Sequence, residues 1–214
     1  MNIIEVKNLK KTYGNGIRAL DDFNLVVESP QIFSLLGSNG AGKSTLIKIL
    51  TTFISKDSGQ VSILGYNLDD KPMEIRSEIS AVSQNISIDT HLSLEENMLF
   101  QARLYHVPKK EAKRRMSLLI DSFKLDDYRD YPVSTYSGGV KRRLDIAMNM
   151  MSHPKILFLD EPTVGMDVKS RKAMWEMIKT INEDYGTTVF LTTHYLEEAD
   201  NLSDKILIMN EGKD

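Results

Sequence analysis

Residues 37–45 read Gly37-Ser38-Asn39-Gly40-Ala41-Gly42-Lys43-Ser44-Thr45, a G-x-x-x-x-G-K-[ST] segment set between two apolar runs. Ile32-Phe33-Ser34-Leu35-Leu36 precedes it and Leu46-Ile47-Lys48-Ile49-Leu50 follows. A buried strand, a glycine turn and a helix form the context in which this spacing cradles phosphate. Glycines let backbone N–H groups converge on an anion more closely than any residue bearing Cβ allows. The N-terminus of the following helix adds positive potential. In such a cradle Lys43 reaches the outer phosphates and the Ser44 hydroxyl ligates Mg²⁺. The four fixed positions arise by chance in roughly one chain in a hundred of this size, so an accidental glycine turn is the weaker reading. The segment predicts a nucleoside-triphosphate site on an α/β fold.

The rest of the chain fits that expectation. Its 214 residues suffice for one substantial α/β core or two small lobes. A formal net charge of −3 argues against a general nucleic-acid binder, which carries a basic footprint. Cysteine is absent, which excludes disulfides and thiolate metal sites and fits a reducing compartment. No apolar run approaches the ~18 residues that cross a bilayer, and Met1 to Lys7 lacks the features of a signal peptide. Any membrane in this protein's function is therefore expected to be spanned by another chain.

Periodicity divides the sequence into three regions. Short β-like segments come first, at Ile3 to Val6, Leu25 to Val27, Ile32 to Leu36 and Gln60 to Leu64. Turn signals separate them at Gly14-Asn15-Gly16, Ser29-Pro30 and Asp57-Ser58-Gly59. From Leu94 to Met151 the spacing turns helical, through Leu94, Met98, Leu99, Ala102 and Tyr105, then Ala112, Met116, Leu119 and Phe123. Pro108 separates these two helices, and a third runs from Lys141 to Met151. Alternation then returns, with strands at Lys155 to Leu159, Thr188 to Thr193 and Lys205 to Met209, and helices at Ser170 to Glu183 and Tyr195 to Leu202. Strands alternating with helices imply a parallel sheet covered on both faces, here with a helical segment inserted. The eleven methionines read as core filler.

The remaining candidate chemistry sits at segment ends. Ile156-Leu157-Phe158-Leu159 closes on Asp160-Glu161-Pro162, placing two acids at the carboxyl end of a strand, where ligands bind in open α/β sheets. Asp160 is the natural Mg²⁺ partner, directly or through water, and Glu161 can polarise an attacking water. Alone, such acids could equally cap a turn. His194 ends the run Val189 to Thr193, at the same expected sheet edge, where an imidazole can bond a terminal phosphate and that water. His91, His106 and His153 read as surface residues. Ser137-Gly138-Gly139 before a helix forms a second anion nest. The following Lys141-Arg142-Arg143 opposes the helix dipole unless an anion or an acid such as Asp145 compensates; a solvated basic face is the alternative. Gln84, after Ile79 to Ser83, can offer an amide oxygen to Mg²⁺. Tyr13 either stacks on a base or is a plain hairpin tyrosine. The guanine-reading Asn-Lys-x-Asp pattern is absent, which favours adenine.

Taken together, these residues resemble the ATP-binding cassette family of transporter ATPases over essentially the whole chain. Tyr13 matches the adenine-stacking aromatic, Gly37 to Thr45 the Walker A loop, Gln84 the Q-loop and Ser137-Gly138-Gly139 the signature motif. Ile156 to Asp160 match the Walker B strand, Glu161 the catalytic glutamate, Gly165-Met166-Asp167 the D-loop and His194 the switch histidine. Longer stretches, such as Thr135 to Asp145 and Thr193 to Asp200, resemble exporters related to daunorubicin-resistance ATPases. The resemblance implies one domain over 1–214: a P-loop NTPase core from about 1–87 and 153–214, with a mostly parallel sheet flanked by helices and an N-terminal antiparallel β subdomain, and an α-helical subdomain over about 88–152. It implies ATP and Mg²⁺ as ligands, with Ser44, Gln84 and Asp160 at the metal and Lys43, Glu161 and His194 in catalysis. It also implies an ATP-dependent head-to-tail homodimer in which Ser137, Gly138 and Gly139 serve the nucleotide of a second copy. An integral membrane permease would be docked near the segment after Gln84, on the cytoplasmic face. Three departures stand out. Ser38 replaces a frequent proline, Val140 replaces the usual signature glutamine, and the sequence stops at Asp214 where relatives usually continue.

Overall fold

The computed structural model describes residues 2–214. Two sheets share the work. β1 (Asn2–Thr12), β2 (Arg18–Glu28), β4 (Ser58–Ile63) and the short β5 (Tyr66–Asn67) make an antiparallel sheet in the order β2-β1-β4-β5. β3 (Ile32–Leu36), β6 (Ile79–Val82), β7 (Ile156–Asp160), β8 (Thr188–Thr193) and β9 (Lys205–Ile208) make a parallel sheet in the order β6-β7-β8-β3-β9. The central strands β3, β7 and β8 are buried almost throughout, because strands covered on both faces need continuous apolar runs.

Helices fill the connections: α1 (Lys43–Leu50), α2 (Pro72–Glu78), α3 (Leu94–Leu104), α4 (Lys109–Ser122), α5 (Gly138–Met150), α6 (Val168–Glu183) and α7 (Leu196–Leu202). α3, α4 and α5 form the expected helical insertion between β6 and β7. α3 starts with a reciprocal cap, in which the Ser93 hydroxyl accepts from the Glu96 N–H and the Glu96 carboxylate from the Ser93 N–H.

The side chains of the parallel sheet split between two cores by strand alternation. Leu157, Leu159, Val189 and Leu191 face the core that contains α3 to α6, including Met98, Leu119, Leu144 and Ile178. Ile156, Phe158, Phe190, Phe33 and Leu35 face the other, with α1 and the antiparallel sheet. Phe33 and Phe158 flank Phe190, with ring centroids 5.3 and 5.4 Å away.

Several boundaries differ from expectation. β1 and β2 are each 11 residues long, far beyond the segments at 3–6 and 25–27. Register shifts between Val6 and Leu9 and between Leu9 and Thr12 break the period of two, and Lys10, Lys11, Asp21 and Asp22 hide the strands from an apolar reading. The turn expected at Asp57-Ser58-Gly59 gives way to strand at Ser58 and Gly59. Asp57 instead holds β1, accepting from the Thr12 N–H at 2.6 Å and from Lys11 at 3.0 Å. α2 and β5 went unanticipated, and α5 begins three residues earlier than Lys141.

Candidate nucleotide-binding site

The Gly37 to Thr45 loop leaves the carboxyl end of β3 and turns into α1 at Gly42, whose φ of 109° belongs to the left-handed region. A Cβ at Gly42 would lie 2.4 Å from the Ala19 carbonyl oxygen, and one at Gly37 would lie 2.6 Å from that of Met209. Both positions therefore exclude side chains for reasons of space. Around Gly40 a Cβ would meet nothing within 4 Å, so the loop's open side faces the cleft. Ser38 and Ala41 shape the loop from behind: the Ala41 N–H donates to the Ser38 carbonyl at 3.2 Å, and its own carbonyl accepts from Gly212 at 2.9 Å.

Lys43 is 4% exposed. Its ammonium donates to the carbonyls of Gly37 and Ser38 at 2.9 and 3.1 Å and lies 3.3 Å from Glu161 Oε1. Ser44 Oγ donates to Asp160 Oδ1 at 3.2 Å. The same carboxylate oxygen accepts from Thr192 Oγ1 at 2.6 Å, and that hydroxyl accepts from the Glu161 N–H at 3.1 Å. Thr192 thus orients both acids. Nothing local in the sequence marks it, since threonine is ordinary in a strand; the register that pairs Asp160 with Thr192 creates the contact. Glu161 itself adopts φ 48°, an uncommon conformation for a residue with Cβ, of the kind that gathers at functional sites. His194 Nδ1 lies 3.4 Å from Glu161 Oε1 and, although buried, has no hydrogen-bond partner among the described residues.

Tyr13, Asn39, Gly40, the 42–45 segment, Gln84 and Glu161 line one open cleft of about 450 Å³. The Tyr13 hydroxyl sits 3.2 Å from Thr45 Oγ1 at the rim. Ser137, Gly138 and Gly139 do not enter this cleft. They line a neighbouring one of about 510 Å³, together with Gly165, Met166 and Asp167. Gln84 and Glu161 border both, as a common wall. Ser137 caps α5, its hydroxyl accepting from the Val140 N–H at 3.4 Å. Asp167 caps α6, and the Ser170 hydroxyl bonded to it at 2.6 Å holds its carboxyl below the usual range.

The basic run on α5 is neither an anion site nor a solvated face. Lys141 donates to the Ser134 carbonyl at 3.2 Å. Arg143 donates to the Phe123 and Lys124 carbonyls at 3.1 Å, with its guanidinium carbon 5.6 Å from the Tyr128 ring centroid. Arg142 is buried against backbone carbonyls and Asp145. Carbonyl oxygens and, for Arg142, the expected acid Asp145 surround these cations in place of an external anion. A second buried polar group also escaped sequence reasoning: Glu198 Oε1, 1% exposed as a residue, accepts from Thr163 at 2.6 Å and from the Trp175 indole at 3.2 Å. It ties the chain just after Glu161-Pro162 to α6 and α7.

The donor set fits a hard, oxygen-preferring cation delivered with phosphate. Ser44 offers a hydroxyl, Asp160 a carboxylate and Gln84 an amide oxygen at one sheet edge. No group of three His, Cys, Asp or Glu capable of holding a metal occurs among the described residues, so the ligand's own oxygens would complete such a shell.

Known proteins resemble this chain in sequence and in fold. The family description "ABC transporter" matches residues 20–164. The chain is 43% identical to the daunorubicin/doxorubicin resistance ATP-binding protein DrrA of Streptomyces peucetius over 98% of its own length, and it spans 63% of that relative. Its fold superposes on cbiO1 of Clostridium perfringens, part of the transporter complex cbiONQ, with a TM-score of 0.91 at 26% identity, over 99% of this chain and 86% of that one. It also matches the ATP-binding cassette MJ0796, solved as a dimer in a post-hydrolysis state with ADP and Pi, at TM-score 0.84 and 26% identity, over 98% and 95% of the two chains. No helix among the described residues is long and apolar enough to cross a membrane. A family match over residues 20–164, most of the chain, on a fold shared with solved cassettes, shows that this chain belongs to the ABC transporter family.

Proposed function

We propose that the chain is the ATP-hydrolysing subunit of an ABC exporter, a single domain that works as a head-to-tail pair beneath a separate membrane permease. One observation carries the reading. The Lys43 ammonium and the His194 imidazole converge on one oxygen of Glu161, at 3.3 and 3.4 Å. A cation for a terminal phosphate, a base for water and an imidazole to steady both are the requirements of phosphoanhydride hydrolysis.

In this reading the glycine loop and Lys43 bind and orient the triphosphate, while Tyr13 stacks on the adenine. Mg²⁺, when bound, neutralises charge on the β- and γ-phosphate oxygens. Ser44, Gln84 and Asp160 would hold it. Glu161 accepts a proton from the attacking water, and His194 keeps that carboxylate and the water aligned. Thr192 fixes the two acids relative to each other. Hydrolysis belongs to a composite site, because Ser137, Gly138 and Gly139 open onto a cleft separate from the Lys43 cleft and would serve the nucleotide of a second copy. The dimeric MJ0796 cassette supports this pairing. Similarity to a daunorubicin/doxorubicin resistance protein supports export over import. In this reading a permease would hold the chain at the cytoplasmic face of the membrane.

Glu161→Gln should retain ATP binding, lose turnover and accumulate an ATP-dependent dimer, read by phosphate release and by size-exclusion chromatography. Normal hydrolysis by this variant would remove Glu161 as the base. Lys43→Ala should lose nucleotide binding in a titration with labelled ATP. Co-purification of the chain from its cells with an integral membrane protein separates a transporter subunit from a soluble cassette ATPase.

A further inference from the structure

The wall shared by the two clefts is held from behind by a buried ion pair. Arg142 and Asp145, 3% and 1% exposed, lie one turn apart on α5 with Nη1 and Oδ2 3.6 Å apart. Burial pushes the Asp145 carboxyl above its usual range and lowers the affinity of the Arg142 guanidinium for its proton. Two desolvated charges are weak evidence of stability, because their attraction is largely offset by lost hydration. Their partners explain them better. Arg142 Nη1 donates to the Ser83 carbonyl, and its Nη2 donates to the Asp160 carbonyl at 3.2 Å. Asp145 Oδ1 accepts from the Ser87 hydroxyl at 2.8 Å. Ser83 and Ser87 flank Gln84, so the pair grips that exposed segment at both ends. One guanidinium also grips the strand end bearing Asp160. An apolar pair of the same volume could fill the space but could bond neither carbonyl.

We propose that Arg142 and Asp145 are positioning residues, a clamp on α5 that fixes the Gln84 segment relative to Asp160 and so sets the two flanks of the cation site around Ser44. The cation part of this inference rests on the function proposed above; the grip on residues 83–87 does not.

The chain has no cysteine, so a nitroxide on Asn85→Cys reports the motion of this segment alone. In the nucleotide-free protein, Arg142→Met and Ser87→Ala should each add a fast-motion component to the electron paramagnetic resonance spectrum. Unchanged spectra in folded variants of both kinds overturn the clamp. Ser87 is exposed, so its truncation keeps the test open if Arg142→Met does not fold. Without the label, Arg142→Met should raise the Mg²⁺ concentration for half-maximal turnover roughly tenfold, as loss of outer-shell support does at metal sites. Affinity for metal-free ATP should stay unchanged. A mobile segment with an unaltered Mg²⁺ requirement overturns the positioning role. A wild-type protein without turnover overturns the ATPase reading instead, and the spectra still judge the clamp.

Discussion

Thr192 shows how much rests on one hydroxyl. Fully buried, it donates to Asp160 and accepts from the Glu161 N–H, at a point where the backbone of Glu161 is held in a left-handed conformation. Thr192→Val keeps the shape and removes both bonds. We expect a loss of roughly 1–3 kcal/mol in a chemical denaturation series and a fall in kcat larger than any change in the KM for ATP. Asp145 makes the second residue-scale prediction. A carboxyl whose affinity for its proton is raised by folding costs nothing while protonated in both states. The cost enters as pH rises through the usual value near 3.8 and is complete above the raised folded value. The stability of the wild type relative to Asp145→Asn should therefore decline as pH rises through that window, in melts compared at matched pH. A difference independent of pH would contradict the burial argument. Lys43, Glu161 and His194 were legible because each sits in a short local string whose spacing carries its chemistry. Thr192 and Glu198 were not, because the partners they bond at 2.6 and 3.2 Å, Asp160 and Trp175, lie 32 and 23 residues away and only strand register or helix packing brings them together. Arg142 was legible in part: Asp145 is a local partner on the same helix, whereas the Ser83 and Asp160 carbonyls lie 59 and 18 residues away.

At the scale of elements, the legible parts were those with one dominant period. The continuous apolar strands β3, β7 and β8 and the helices α3, α4 and α6 announce themselves. The bulged β1–β2 pair does not, since each register shift moves the apolar side chains to the other parity. α2 is seven residues long with only Ile75 buried, too short to show a helical stripe. Caps refine this picture. The reciprocal bonds between Ser93 and Glu96 satisfy donors at the start of α3, just after the segment that carries Gln84. Ser93→Ala should cost about 1 kcal/mol, read as a lowered denaturation midpoint at unchanged slope. A change in slope would mean that the helical region no longer unfolds with the rest.

Over the whole molecule, the fold is a device for delivering distant segments to one sheet edge. The parallel order β6-β7-β8-β3-β9 puts the ends of β3, β6, β7 and β8 side by side, and with them the loop of Lys43, Gln84, the two acids and His194. That class of architecture was legible from alternation alone; the division of the site into two clefts was not, because it depends on where α5 lies. The helical region is no loose attachment, since its apolar residues share one continuous core with Leu157, Leu159, Val189 and Leu191 of the sheet. The two clefts, by contrast, have Gln84 and Glu161 in common. In a symmetric pair, damage to either side chain would then reach both composite halves. Blending intact protein with Glu161→Gln should make turnover follow the square of the intact fraction, whereas autonomous halves would give a straight line. One impaired copy would poison its companion.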